Sequence, residues 1–217
     1  MNSDKPSALP ERVYVVDDDA DVRDSLSRLL RSVGMEVACF ASIDEFAQAP
    51  RPDVCSCLLL DVRLQGAASG LDFQAQLNRD GVTLPLVFMT GFGDIPMTVR
   101  AMKGGAVDFL SKPLREQDLL DAVQHAIERD RAQRTRSDAG RALEARYATL
   151  TPRERQVMAL AVSGLMNKQI AGEIGTSEIT VKIQRGNAMR KMEARTFADL
   201  VRMAGALQPA SGDEEGR

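Results

Sequence analysis

Five short apolar runs, Arg12 to Val16, Glu36 to Phe40, Cys57 to Leu60, Leu86 to Met89 and Val107 to Leu110, alternate with segments whose apolar residues recur every three or four positions. Runs that are apolar throughout suit strands covered on both faces, as in a parallel sheet flanked by helices. The intervening segments predict helices at about Ala20 to Ser32, Ile43 to Gln48, Gly70 to Asn78 and Ile95 to Lys103, with Leu114 to Ile127 after the last strand. In the first of these, Val22, Leu26, Leu29, Leu30 and Val33 line one face. Gly34, Gly81 and Gly104-Gly105 stand where helices must stop. Strand then helix, repeated, predicts a doubly wound α/β domain built on a five-stranded parallel sheet, because right-handed crossovers leave few other topologies.

In such a sheet all strand C-termini emerge on one edge and meet in a crevice. Asp17-Asp18-Asp19 follows the first run, Asp61 the third, Thr90 the fourth and Lys112-Pro113 the fifth. Taken singly, each has a simpler explanation: a helix N-cap for the acidic triplet, a turn residue at Asp61, a β-former at Thr90 and a solvated loop at Lys112. Their joint occurrence at successive strand ends points instead to a shared site. Carboxylates at Asp17, Asp18 and Asp61 are hard oxygen donors suited to Mg2+. Like charges held that close require a cation, and Lys112 can serve beside or instead of a metal. A carboxylate nucleophile with an amine and a hydroxyl nearby fits acyl-phosphate formation at Asp61.

Residues 11 to 127 resemble a two-component receiver domain, and Met102-Lys103-Gly104-Gly105-Ala106-Val107-Asp108-Phe109-Leu110-Ser111-Lys112-Pro113 is similar to the FixJ subfamily. By position, the resemblance implies that Asp61 is the phosphoacceptor, Asp18 the direct Mg2+ ligand and Asp17 the ligand acting through water. It implies a backbone carbonyl from Arg63 in the metal shell, and Thr90, Lys112 and Phe109 as the switch residues. The sequence departs from the family pattern after the phosphoacceptor. Gln65 stands where proline is usual, and Gly70 arrives one residue late, an insertion within Gln65 to Ser69 that leaves the lifetime of the phosphoryl group open.

The charge pattern changes along the chain. Residues 1 to 127 hold 12 Lys+Arg against 19 Asp+Glu, whereas residues 149 to 207 hold 9 against 5. An acidic front and a basic back suggest that only the back approaches a polyanion. Thr151-Pro152-Arg153-Glu154 is a capping box with proline at the first helical position. A short helix is predicted from Lys168 to Glu173 with Asn167 as N-cap. Gly175-Thr176-Ser177 makes a turn, Ser177 caps a longer helix reaching about Met192, and a last helix runs from Thr196 through Ala204. A short helix, a tight turn and a longer basic helix fit a helix-turn-helix, with Lys182, Arg185, Arg190 and Lys191 as donors to DNA. A helical protein-binding domain would show the same spacing.

Leu150 to Val157, Asn167-Lys168-Gln169-Ile170-Ala171 and Thr180-Val181-Lys182-Ile183 resemble the four-helix LuxR-type output domain of NarL/FixJ regulators. That resemblance implies base reading by Lys182 and Ile183 and phosphate contacts from Lys168, Arg185 and Lys191. Gln184, where histidine is frequent, and Gly186, where some relatives place lysine, leave the DNA sequence read open. Between the two regions, 128–148 is Arg- and Ala-rich and is expected to be a helical linker. The last ten residues, 208–217, are polar and acidic and are expected to be disordered.

The expected domains are therefore a receiver at 11–127, a linker at 128–148, a LuxR-type helix-turn-helix domain at 149–207 and a tail at 208–217. The expected function is a transcription regulator, not an enzyme. A sensor histidine kinase would phosphorylate Asp61 with Mg2+, and the phosphorylated protein would form a homodimer on double-stranded DNA with RNA polymerase as a further contact. Two rivals remain open on the residues alone. One is a phosphorylation-independent adaptor, and the other an Asp-nucleophile phosphohydrolase, which would favour a second aspartate where Arg63 stands. No apolar run reaches membrane-spanning length, and Met1 to Pro10 lacks a signal peptide's apolar stretch, so a cytoplasmic protein is expected. With Cys39, Cys55, Cys57 and a single histidine, His125, a zinc site would be short of ligands, and reduced thiols are expected.

Overall fold

The structure, a computed structural model, describes residues 11–64, 69–91 and 94–207. Most of the altered loop at Gln65 to Ser69 and the tail at 208–217 lie outside the described residues. Two compact units divide the chain, the first ending at Arg134.

In the first unit five strands, β1 (Arg12–Val16), β2 (Glu36–Phe40), β3 (Ser56–Asp61), β4 (Leu86–Thr90) and β5 (Asp108–Ser111), form one parallel sheet in the order β2-β1-β3-β4-β5. Helices α1 (Ala20–Ser32), α2 (Ile43–Gln48), α3 (Gly70–Arg79) and α4 (Ile95–Lys103) make the crossovers, and α5 (Glu116–Ala148) follows β5. Alternation along β1 sorts the two layers. Val13 and Val15 pack with Leu26, Leu30, Leu119, Val123 and Ile127 of α1 and α5. Tyr14 and Val16 pack on the opposite face with Phe46, Leu71, Phe73 and Ala101 of α2, α3 and α4. The central strands β1, β3 and β4 are almost wholly buried, while β2 and β5, at the edges, are only partly covered. That difference explains why the central runs are the most uniformly apolar in the sequence.

The helix expected to start at Leu114 starts at Glu116 and continues to Ala148. Its first turns belong to the first unit beyond the expected limit at Ile127, because Asp130 is buried there. Its carboxylate accepts hydrogen bonds from the Ser56 amide (2.9 Å) and from Arg134 Nε (2.7 Å). Its last turns belong to the second unit, where Leu143 and Tyr147 pack with Leu150, Met158 and Leu200.

The second unit holds α6 (Pro152–Val162), α7 (Asn167–Ile174), α8 (Glu178–Lys191) and α9 (Phe197–Leu207). The capping box is complete: Thr151 Oγ1 accepts from the Glu154 amide (3.2 Å), and Glu154 Oε2 accepts from the Thr151 amide (2.8 Å). The short helix is capped one residue earlier than expected. Met166 takes the N-cap backbone conformation, and its amide donates to Gln169 Oε1 (2.8 Å). The side chain expected to cap, Asn167, instead accepts from Arg185 Nη1 (3.3 Å). Gly175 ends α7 at φ +65°, a left-handed conformation that a side chain would oppose.

Candidate functional site

The loop after β1 divides the acidic triplet by role. Asp19 caps α1, accepting from the amides of Asp21 (2.9 Å) and Val22 (3.3 Å). Asp17 and Asp18 are left for the crevice. Asp17 is wholly buried; its backbone is tied to β2 through the Phe40 carbonyl (3.2 Å), and its Oδ1 accepts from the Asp19 amide (3.0 Å). Asp61, the last residue of β3, sits beside it. One ligand oxygen from each of Asp17, Asp18 and Asp61 can be chosen so that all lie within 4.8 Å of one another.

Lys112 reaches this cluster from the end of β5. Its amide donates to the Thr90 carbonyl (2.7 Å), which extends the β4–β5 pairing by one bond and aims the residue at the acidic edge. Nζ then donates to Asp17 Oδ2 (2.6 Å) and Asp61 Oδ2 (2.5 Å). Burial of Asp17 pushes its carboxyl above the ordinary aspartate range, and the bonds from Lys112 offset this only in part. For Lys112 burial opposes the charge, but the hydrogen bonds to Asp17 and Asp61 outweigh it and hold the ammonium above the ordinary lysine range. One cation thus pairs with two of the three carboxylates.

The remaining predicted residues surround this core. Asp61 Oδ1 accepts from the amide of Arg63 (2.9 Å), whose side chain is exposed. Thr90 is wholly buried at the end of β4, in register with Ser111. Phe109 is half-buried, its ring 6.1 Å from that of Phe88, and it packs at the border of the α3–α4 layer. Gly70 has a function that sequence reading missed. A Cβ built there would lie 2.6 Å from the Asp61 carbonyl, so α3 starts directly against the strand end that carries Asp61. Gln74 and Gly104 make a similar close fit between α3 and α4, with Gln74 Nε2 donating to the Ala101 carbonyl (3.0 Å).

In the second unit the outward face of α8 carries Ile179, Lys182, Ile183, Gly186 and Arg190, all exposed, while Val181, Ala188 and Met192 point inward. Lys182 and Ile183 therefore stand together, and Lys168 is exposed on α7. Two other residues expected to touch DNA are engaged within the protein. The Arg185 guanidinium lies 4.0 Å over the Phe197 ring, besides its bond to Asn167. Lys191 Nζ pairs with buried Glu154 (2.6 Å) and donates to the Thr149 carbonyl (3.1 Å). The Lys191 hydrogen bond, followed by the Thr151 amide, holds the Glu154 carboxyl below the ordinary glutamate range. The Glu154–Lys191 spacing carried no periodic signal that could have announced this pairing.

Residues 13–124 match the response regulator receiver domain family, and residues 148–204 match the bacterial regulatory proteins of the luxR family. Nodulation protein W of Bradyrhizobium diazoefficiens is 58% identical over 195 residues, covering 90% of this chain and 86% of that protein. The transcriptional regulatory protein FixJ of Azorhizobium caulinodans is 42% identical, covering 96% of this chain and 98% of that one. Among solved structures, the response regulator StyR superposes with a TM-score of 0.81 at 46% identity, covering 91% of this chain and 99% of StyR. Full-length FixJ from B. japonicum gives a TM-score of 0.54 at 39% identity, covering 90% of this chain and 96% of FixJ.

Proposed function

Because the chain belongs to the response regulators that join a receiver domain to a LuxR-type DNA-binding domain, we propose that Asp61 accepts a phosphoryl group from a partner histidine kinase and that this modification governs dimerisation and DNA binding. The observation that carries the reading is the Lys112 bridge between Asp17 and Asp61 at the sheet edge. Asp61 Oδ attacks the donor phosphorus, the P–O bond forms as the P–N bond to the kinase histidine breaks, and the imidazole leaves. Lys112 exchanges its bond to Asp61 for one to a phosphoryl oxygen while keeping Asp17. The Thr90 hydroxyl supplies another donor, and Phe109 moves into the space this creates beside Phe88.

Three convergent carboxylates of hard oxygen character fit Mg2+, which Asp18, Asp61 and the Arg63 carbonyl would hold directly and Asp17 would hold through water. The ion when bound supplies positive charge that offsets the charge of the incoming phosphoryl group. On α4, Ile95, Val99 and Met102 fall on one face at i, i+4 and i+7; Ile95 is 81% exposed. We propose this face with β5 as the phosphorylation-dependent dimer contact. Lys182, Ile183 and Lys168 meet double-stranded DNA, whereas Arg185 and Lys191 act mainly to brace α8. Asp61 is an acceptor in this scheme, not the nucleophile of a turnover cycle. Among the described residues no helix is long and apolar enough to cross a membrane.

The test is direct. Full-length protein treated with a small phosphodonor and Mg2+ gains one phosphoryl group on Asp61, doubles its mass by light scattering, and retains duplexes from a random pool. Asp61→Asn does none of these. DNA binding by Asp61→Asn equal to that of the phosphorylated wild type would remove the phosphorylation control from the proposal.

A further inference from the structure

The outer face of α8 has a composition that neither helix stability nor folding explains. At 100° per residue, Ile179, Lys182, Ile183, Gly186 and Arg190 fall within an arc of about 100°. Ile179 is 73% exposed and Ile183 57% exposed, and neither joins the two apolar clusters of the second unit. β-Branched residues are mediocre helix formers, so their presence on an outer face is not accounted for by propensity. Gly186, one turn further on, is equally unexplained from within. Its φ is not in the left-handed region, and a Cβ built there would meet nothing within 4 Å. The helix gives up propensity at that position and gains no internal contact. The amide carbonyl of Asn187, a candidate hydrogen-bonding group beside this face, is held by Arg190 (3.1 Å).

The surface is thus two bulky alkyl groups and a bare backbone, with cations at Lys182 and Arg190. An apolar protein groove would complement the isoleucines but not the flanking cations; duplex DNA complements both. Of the groups that base pairs display in the major groove, the apolar one is the 5-methyl of thymine. Phosphates on either side meet the cations, and a glycine lets the duplex approach closely.

Resting on the reading of α8 as a DNA-binding helix, we infer that Ile179 and Ile183 form a thymine-methyl reader that sets part of the sequence specificity of this protein. Ile179 is a specificity residue in its own right, placed one turn before Ile183 so that the pair spans neighbouring base steps. Operators preferred by this protein carry thymine at the positions the pair covers, and they are distinguished by the methyl group rather than by a hydrogen-bond pattern alone.

The experiment uses the full-length protein, phosphorylated with a small phosphodonor and Mg2+, and duplexes selected from a random pool. In the best-bound duplex each thymine is replaced in turn by deoxyuridine, which removes only the methyl. Loss of about four-fold in affinity per contacted methyl is expected. In Ile179→Ala and Ile183→Ala that discrimination disappears at the corresponding positions, while circular dichroism is unchanged because both side chains are exposed and alanine favours helix. A selected duplex that binds equally well with deoxyuridine throughout overturns the inference and leaves the DNA-binding reading standing. Alanine variants that keep the full preference for thymine overturn it as well. A pool from which no duplex is retained sinks the DNA-binding reading itself, and the inference with it.

Discussion

Replacing Lys112 with methionine keeps the aliphatic stem and removes the charge that joins Asp17 to Asp61. The side chains of these carboxylates are 0% and 9% exposed, and Lys112 Nζ lies 2.6 and 2.5 Å from them. A hydrogen bond to a charged group nets roughly 1.5–3 kcal/mol, and two are lost. Removing one member of a buried ion pair costs about 3–5 kcal/mol, because the partners stay desolvated without compensation. The crevice is open to water at Lys112 and Asp18, so the lower part of that range applies, about 3 kcal/mol. With a urea dependence of roughly 1–3 kcal/mol/M, the midpoint of the receiver transition falls by at least about 1 M in a chelator. The deficit has a pH signature. Burial already raises the Asp17 carboxyl, and loss of Lys112 raises it further. A carboxyl raised in the folded state contributes stability that is present below its unfolded value and is lost as pH rises through its folded value. The variant therefore approaches wild type in acid and diverges from it towards neutrality. Added Mg2+ restores part of the loss at pH 7 by binding the folded state alone. Urea titrations of full-length protein, with chelator and with Mg2+, read all three effects. Equal midpoints in chelator at pH 7, or a deficit that Mg2+ leaves unchanged, would refute this account of the cluster.

Gly70→Ala places a methyl 2.6 Å from the Asp61 carbonyl, so α3 must retreat; a stability loss of about 1–3 kcal/mol and slower phosphorylation from a small donor are expected. Asp130→Ala leaves the Ser56 amide without its acceptor and costs about 2 kcal/mol, with faster amide exchange concentrated at 128–134. Glu154→Gln weakens the pair with Lys191 and destabilises the second unit by about 1–2 kcal/mol at pH 7. Since the Glu154 carboxyl is held low, its contribution is present above the unfolded glutamate value and disappears as pH falls through the folded one, so the two proteins converge in acid.

The strands and the acidic site were legible because both depend on short stretches of sequence. Burial on two faces writes itself as an apolar run, and each site residue stands directly after such a run. Asp17, Asp18, Asp61 and Lys112 meet as expected because parallel strands must deliver their ends to one edge. What stayed illegible rests on long-range partners. Residues 128–134 are held in the first unit by distant partners, the Ser56 amide on Asp130 across 74 positions, Glu11 on Arg131 and Asp53 on Arg134. The Asp130–Arg134 spacing of four was visible, but it is equally that of an exposed helical pair. Lys191 was legible as a basic residue closing α8, but its pairing with Glu154, 37 positions earlier, was not. Asn167 read as a cap because asparagine caps helices well, yet Arg185 had claimed its carbonyl. In each case the local preference was sound and a distant group added a partner that it could not show.

The junction between β3 and α3 separates two properties that a regulator would otherwise have to tune together. The Gly70 amide donates to the Val62 carbonyl (3.1 Å), so the two positions that flank 63–69 are bonded to each other. One extra residue inside a loop of that length adds only about 0.1 kcal/mol of closure entropy. That bond, with the close approach of Gly70 to the Asp61 carbonyl, holds the start of α3 beside Asp61. A one-residue deletion within 65–69 is therefore expected to change how long a phosphoryl group persists on Asp61 without shifting the urea midpoint of the first unit.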